Sequence, residues 1–337
     1  MRMLVTGGAG FIGSNFVRRV LTDAYPQFAG AEVVVLDKLT YAGTLESLAP
    51  VMDDPRLRFV HGDVCDRGLL ASVLDGVSLV VHCAAETHVD RSIADGTDFV
   101  MSNVAGTFAL LDTALAAGVA KFVLVSTDEV YGTIDHGSWT EGDPLEPNSP
   151  YAASKGAADL LARAFHRTYG LPVVTTRCCN NYGPYQFPEK LISLFITNLL
   201  DGEPVPLYGD GSNVREWVHV DDHCDGIALV AERGVPGEVY NIGGAVEMTN
   251  EEVTSRVLAE LGRDRAMVRY VADRKGHDRR YSIDCSKIAR ELGYRTRLSF
   301  DEGLARTVRW YAENRTWWEP LKKRVNGAPA PAGPAAD

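Results

Sequence analysis

The sequence predicts an α/β fold, a doubly wound parallel Rossmann-type sheet followed by a smaller, mixed α/β C-terminal substrate domain. Three observations carry that expectation. Short β-branched runs alternate with helical stretches through the first half, a glycine-rich loop follows the first run, and turn-rich segments take over after Arg177. Near-continuous apolar strands separated by helices require a parallel sheet covered on both faces. Strands are expected at Met3–Thr6, Val33–Asp37, Leu57–His61, Leu79–Cys83, Phe122–Thr127 and Val173–Arg177. Helices are expected near 11–24, 65–75, 98–117 and 150–169, the last with Ser149 as N-cap, Pro150 in its first turn and Gly170 as its stop. A cofactor-binding domain over 1–177 and a substrate domain over 178–325, whose segments can interleave with the first, are expected from this pattern. Residues 326–337 form a Pro/Ala/Gly tail that cannot bury apolar surface and is expected to be disordered.

With 337 residues and 45% hydrophobic content, the chain can bury a large core. Its net charge of −11 argues against a nucleic-acid surface, so an anionic substrate must be held by local Arg and Lys clusters. The chain runs straight into the glycine-rich loop, and no run approaches the roughly 18 apolar residues of a membrane span. A cytoplasmic protein is expected, with neither membrane nor nucleic acid as partner. Six cysteines, at 65, 83, 178, 179, 224 and 285, show no Cys-x-x-Cys spacing and read as reduced thiols. His219 and His223 have helical metal-ligand spacing, but Asp221 and Asp222 between them suit a helix start and no fourth ligand is evident. No metal is expected.

Gly7, Gly10 and Gly13 follow a strand and open a helix, where glycine permits a tight turn and lets the backbone approach a pyrophosphate at the positive helix end. Asp37 closes the next strand, 24 residues after Gly13, where an acid can accept hydrogen bonds from a ribose. Its charge would repel a 2′-phosphate, which favours NAD over NADP, with Lys38 beside it as a counterweight. Asp63 suits either the adenine amino group or a helix N-cap. Ala84, Ala85 and Thr87 follow the fourth strand at the carboxyl edge, where the rest of a dinucleotide would lie.

Tyr151 and Lys155 are four residues apart on an expected helix and share one face. They follow a strand ending in Ser126-Thr127, beyond the glycine loop, and these three elements together resemble the extended short-chain dehydrogenase/reductase family. The resemblance implies that Tyr151 exchanges a proton at the oxidised carbon, that Lys155 holds the nicotinamide ribose, and that Thr127 bonds the same substrate oxygen. It also implies that Phe11, Ile12, Thr40, Val64 and Asn180 join the cofactor site. A nearby ammonium together with the charge of the oxidised nicotinamide would bring a tyrosine down from its free pKa of about 10.

Asp128-Glu129 decides between reaction types, because epimerases of the family typically carry small or uncharged residues there. Once C4 of a hexose is a ketone, its C5 proton is acidic enough for Glu129 to remove, and a protonated Asp128 can give its proton to the departing C6 hydroxyl. Burial beside Glu129 would keep Asp128 protonated.

Five motifs extend the resemblance over the whole chain apart from the tail: Ser126-Thr-Asp-Glu-Val-Tyr-Gly132, Tyr151-Ala-Ala-Ser-Lys155, Arg177-Cys-Cys-Asn-Asn-Tyr-Gly-Pro-Tyr-Gln186, Arg215-Glu-Trp-Val-His-Val-Asp-Asp222 and Ala272-Asp-Arg-Lys-Gly-His-Asp278. They are similar to the dTDP-glucose 4,6-dehydratase family. That likeness implies a nucleotide-sugar site lined by His88, Thr127, Asn180, Arg215, Asn250, Arg274 and His277, with Glu189, Lys190, Leu191, Pro206 and Tyr208 around the pyrophosphate or base. The alternatives are a 4-epimerase or a dehydratase for another nucleotide sugar. The resemblance also implies a homodimer, joined through the helices near 98–117 and 150–169 as a four-helix bundle, and both carry apolar stripes.

Overall fold

Each of the six apolar runs in the first half forms a strand of one parallel sheet in the computed structural model, which describes residues 1–327. These are β1 (Arg2–Thr6), β2 (Glu32–Asp37), β3 (Leu57–His61), β4 (Leu79–His82), β5 (Lys121–Thr127) and β6 (Val173–Cys178). The second half adds β7 (Asn180–Tyr182), β8 (Val205–Tyr208), β9 (Val214–His219), β10 (Val239–Ile242), β11 (Glu247–Thr249) and β12 (Val268–Val271). The main sheet has seven strands in the order β10-β6-β5-β4-β1-β2-β3. The chain reverses direction across the sheet between β1 and β4, the crevice where doubly wound folds bind ligands. A strand from the second half, β10, lies beside β6, so the main sheet extends past the expected domain boundary at residue 177 and takes in part of the second half.

The helices are α1 (Phe11–Leu21), α2 (Arg67–Val73), α3 (Val89–Ala94), α4 (Thr97–Phe99), α5 (Thr107–Ala116) and α6 (Pro150–Tyr169), then α7 (Leu191–Leu200), α8 (Val220–Arg233), α9 (Asn250–Glu260), α10 (Ser286–Leu292), α11 (Phe300–Glu313) and α12 (Arg315–Gly327). Sequence-legible caps set the ends of α6: the Ser149 side chain accepts from the Ala152 N–H, Pro150 starts the helix, and Gly170 closes it at φ +74°. Alternate residues of the central strands feed two cores. Val5, Val35 and Val81 meet Phe16 and Ile227 on one face, whereas Leu4, Leu36 and Val80 meet Leu110 and Ala158 on the other. Each fully buried Val or Leu contributes about 1.5–3 kcal/mol. A third core, with Phe195, Val253, Leu304 and Trp318, holds the second half together, and Trp318 donates to the Tyr311 carbonyl at 2.8 Å.

Two expectations need correction. The stretch Thr97–Ala116 is continuously helical, with a mean hydropathy of 1.4, and is long and apolar enough to cross a membrane by length and composition alone. Its middle, Val100–Gly106, winds as a π-helix, and there Asn103 is buried and bonded to Ser154 and to both backbone groups of Glu86, as befits a helix packed on α6. Of the tail expected over 326–337, Asn326 and Gly327 close α12, and the remainder lies outside the described residues.

Candidate active site

The carboxyl ends of β1, β4, β5 and β6 open into a cavity of about 580 Å³. At its base Gly7 turns the chain at φ +65°, and a Cβ there would sit 2.6 Å from the Ala84 nitrogen. A Cβ on Gly13 would lie 2.3 Å from the Gly7 carbonyl oxygen, so the loop and the start of α1 pack at a distance only glycine allows. Gly10 caps α1 without a side-chain acceptor. This leaves a shallow, positively polarised cradle whose donor set fits the pyrophosphate of a dinucleotide.

Asp37 is buried, and both its oxygens are engaged by the loop: Oδ2 accepts from Ala9 N–H at 2.9 Å and Oδ1 from Leu39 N–H at 2.8 Å. Burial raises its pKa above the ordinary carboxylate value, against those two bonds. Asp63 accepts from the Cys65 N–H at 2.9 Å and pairs with Lys38 at 2.7 Å, while Asp66 is the residue that caps α2. Thus Lys38 is tied to a carboxylate. Phe11, Ile12, Thr40, Val64, Ala84, Ala85, Thr87 and Asn180 line the same cavity.

Thr127 ends β5, and the chain then makes a single 3-10 turn, Asp128–Tyr131. The Thr127 hydroxyl accepts from Glu129 N–H and donates to Asp128 Oδ1, each at 3.3 Å. Gly132 closes the turn at φ +80°, where a Cβ would lie 2.3 Å from the Glu146 carbonyl oxygen. Asp128 is 2% exposed and its Oδ2 has no hydrogen-bond partner among the described residues. Burial first, then the neighbouring Glu129 and Glu216 carboxylates, push its pKa well above the usual carboxylate range. Burial also raises Glu129, but Lys190, Arg215 and Arg274 oppose the shift. The turn therefore presents one carboxyl that favours its proton beside one whose upward shift three cations oppose.

From α6, Tyr151 and Lys155 enter the same cavity. Burial raises the Tyr151 pKa, the Glu129 charge adds to the rise, and a bond with Thr127 opposes it. Lys155 donates to the Val125 carbonyl at 2.8 Å, and burial lowers its pKa. In the chain by itself desolvation dominates at Tyr151, so the expected depression needs the cofactor charge as well as the lysine.

His88, Glu189, Lys190, Leu191, Pro206, Tyr208, Arg215, Asn250, Arg274 and His277 line the far side of the cavity. Lys190 donates to the Thr87 carbonyl at 2.9 Å, and Arg215 to the Asp278 carbonyl at 2.9 Å. Arg274 makes two bonds to Asp90, at 2.6 and 2.9 Å, and His277 pairs with Asp273 at 2.7 Å. Asp90 and Tyr281 were not singled out by sequence reasoning. Tyr281 is buried, bonds Asp278 and lies under Arg215, whose guanidinium carbon is 4.3 Å from the ring centroid. A tyrosine three residues beyond Asp278 carries no spacing signal, and Asp90 meets Arg274 only through the fold. His219 caps α8, and His223 bonds the Asn181 side chain at 2.9 Å.

A family model described as GDP-mannose 4,6 dehydratase matches residues 4–307. A dTDP-glucose 4,6-dehydratase of Streptomyces antibioticus is 60% identical over all of this chain and 98% of its own length. The chain belongs to the dTDP-glucose 4,6-dehydratase family. A member from Streptomyces venezuelae, solved with NAD bound, superposes with a TM-score of 0.94 at 68% identity, covering 95% of this chain and 100% of that one. A UDP-glucose 4-epimerase of Thermotoga maritima, solved with UDP-glucose, shares the fold at a TM-score of 0.86 and 31% identity, over 94% and 100% of the two chains. The dehydratase family thus shares its scaffold with epimerases, and side chains in the cavity must separate the reactions.

Proposed function

We propose that the protein dehydrates dTDP-glucose to dTDP-4-keto-6-deoxyglucose, a lyase reaction in which NAD is regenerated within each turnover. The observation that carries this reading is the buried Asp128-Glu129 turn, with Asp128 held toward its protonated form, in the cavity that also contains the glycine cradle and Tyr151. Gly7, Gly10 and Gly13, with Asp37, Asp63 and Lys155, would hold NAD, which would supply the hydride acceptor for C4 and the donor for C6.

Tyr151 takes the proton of the C4 hydroxyl while Thr127 holds the same oxygen. Glu129 then removes the C5 proton, and Asp128 protonates the C6 hydroxyl as it leaves as water. Arg215 and Arg274 supply charge-assisted, bidentate-capable donors for the diphosphate, which an acidic chain needs at one place. Incubation with dTDP-glucose should produce a keto sugar that absorbs in alkali. Inverted sugar from a panel of dTDP-, UDP-, CDP- and GDP-hexoses would show an epimerase, and keto sugar from another nucleotide alone would move the specificity.

The same reading includes a homodimer. Val100, Met101, Phe108, Leu160 and Tyr169 are each at least 41% exposed on the outer faces of the Thr97–Ala116 helix and α6, the two helices expected to form a four-helix bundle. Phe108 and Phe165 pack edge-on, and Tyr169 extends that apolar patch. Light scattering at micromolar concentration should give twice the monomer mass. A cytoplasmic location belongs to this reading too, because substrate and cofactor are both water-soluble anions.

A further inference from the structure

A buried polar chain joins the two catalytic segments from outside the cavity. Arg177, on β6, lies in register with Ser126 on β5 and with Asn241 on β10. Its Nε donates to Asp159 Oδ2 at 2.7 Å and its Nη1 to the Tyr131 hydroxyl at 2.8 Å. That hydroxyl donates in turn to Asn241 Oδ1 at 2.9 Å, and the Tyr131 ring stacks on Trp139. Tyr131, Asp159, Arg177 and Asn241 are each no more than 6% exposed. A buried ion pair is weak evidence for stability, since apolar replacements are often neutral or better, but a bonded network fixes geometry. Here every member is bonded to at least one other, and of the two Asp159 carboxylate oxygens only Oδ1 is left without a partner among the described residues.

The two ends of this network are specific. Asp159 lies on α6, four residues beyond Lys155 and eight beyond Tyr151, on the same face of the helix. Tyr131 is the last residue of the turn that carries Asp128 and Glu129. None of Tyr131, Asp159, Arg177 and Asn241 lines the large cavity; Asp159 and Arg177 instead line a second one of about 400 Å³, with Glu141, Arg163 and His166. We propose that Arg177, clamped between Asp159 and Tyr131, is a positioning residue that sets the elimination pair in register with Tyr151 and Lys155.

The inference rests on the proposed dehydration. Wild-type turnover judges that reading, whereas the ratio of variant to wild type judges this one. Tyr131→Phe removes one hydroxyl and leaves the ring and the Asp159–Arg177 pair in place. It should lower kcat about 10- to 100-fold, the effect of misplacing a catalytic group by about 1 Å, with KM nearly unchanged. Solvent deuterium entry at C5 should fall more than oxidation at C4, so that sugar oxidised at C4 but not dehydrated builds up on the enzyme. Should Tyr131→Phe fail to fold, Arg177→Lys, which keeps the charge facing Asp159 but cannot bridge both partners, is read in the same way. A lowered melting temperature with an unchanged balance of C5 exchange to C4 oxidation per folded enzyme would overturn the proposal, because that is all a structural role can do.

Discussion

Residues of the cofactor cradle are held mainly by backbone groups: Asp37 by the Ala9 and Leu39 N–H groups, Gly7 against the Ala84 backbone, Asp63 by the Cys65 N–H, with Lys38 as its one side-chain partner. Substrate-side cations are held through their own long side chains instead. Arg274 reaches Asp90 over 184 positions, Lys190 reaches Thr87 over 103, and Arg215 reaches Asp278 over 63. The first arrangement is built from backbone turns that few sequences can make, and the second from long cationic side chains with several rotamers. A cradle of the first kind is rigid before its ligand arrives, whereas cations of the second kind must exchange a protein carboxylate or carbonyl for an anionic substrate. Between the two lies the Asp128-Glu129 turn, and substitutions on each side of it should behave differently.

Tyr151→Phe should have the largest effect, lowering kcat about 10³- to 10⁴-fold while calorimetry shows cofactor and sugar still binding, since the shape of the site is kept and only the proton acceptor is lost. Near-normal turnover would remove Tyr151 from its role. Asp128→Asn should cost about 10²- to 10³-fold, and it should leave C4 oxidation running so that a 4-keto-glucose species accumulates. Asp128 acts protonated, so elimination is lost as pH rises through its raised pKa. Glu129 acts ionised, so elimination is also lost as pH falls through its own raised value. The upper limb should vanish in Asp128→Asn.

The same substitution has a stability signature. The folded pKa of Asp128 lies above its unfolded value, so its contribution is present below the unfolded pKa and is lost as pH rises through the folded one. At neutral pH, Asp128→Asn should therefore melt higher than the wild type, which calorimetry would show.

Smaller effects separate the two halves. Arg274→Ala should raise KM about 10- to 100-fold with a lesser change in kcat, as expected for losing a charge-assisted contact worth about 1.5–3 kcal/mol. An unchanged KM would mean that Arg274 stays with Asp90 when the sugar binds. Asp37→Ala should weaken NAD binding about tenfold and narrow the preference over NADP, because the Ala9 and Leu39 bonds and the repulsive charge are both lost. If titration shows the preference intact, Lys38 or another group sets it.

The main sheet was legible because its inner strands are buried on both faces and read as apolar runs, and because Ser149, Pro150 and Gly170 mark the ends of α6 by their backbone chemistry. The candidate site was legible where function puts rare residue types at short spacings, as in Gly7 to Gly13, Asp128-Glu129 and Tyr151 with Lys155. Other features were not, for physical reasons. Addition of β10 to the main sheet depends on pairing with β6, some sixty residues away, and its four residues resemble any short apolar run. Asp90 and Tyr281 depend on partners brought together by the fold, and nothing in their neighbourhoods announces it. The π-wound turn at Val100–Gly106 follows from the bonds of Asn103 to a loop and to α6, while its sequence reads as an ordinary apolar helix.

The central claim is that one cavity oxidises C4, eliminates across C5 and C6, and returns the same hydride to C6. Turnover of dTDP-glucose deuterated at C4, followed to full conversion by NMR and mass spectrometry of the product, tests it most directly. The account predicts deuterium at C6, one solvent-derived proton at C5, and no net release of reduced cofactor, because a closed site keeps the eliminated intermediate from water until the hydride returns. Product lacking deuterium at C6 would contradict internal return, and label restored at C4 with inversion would make the protein an epimerase.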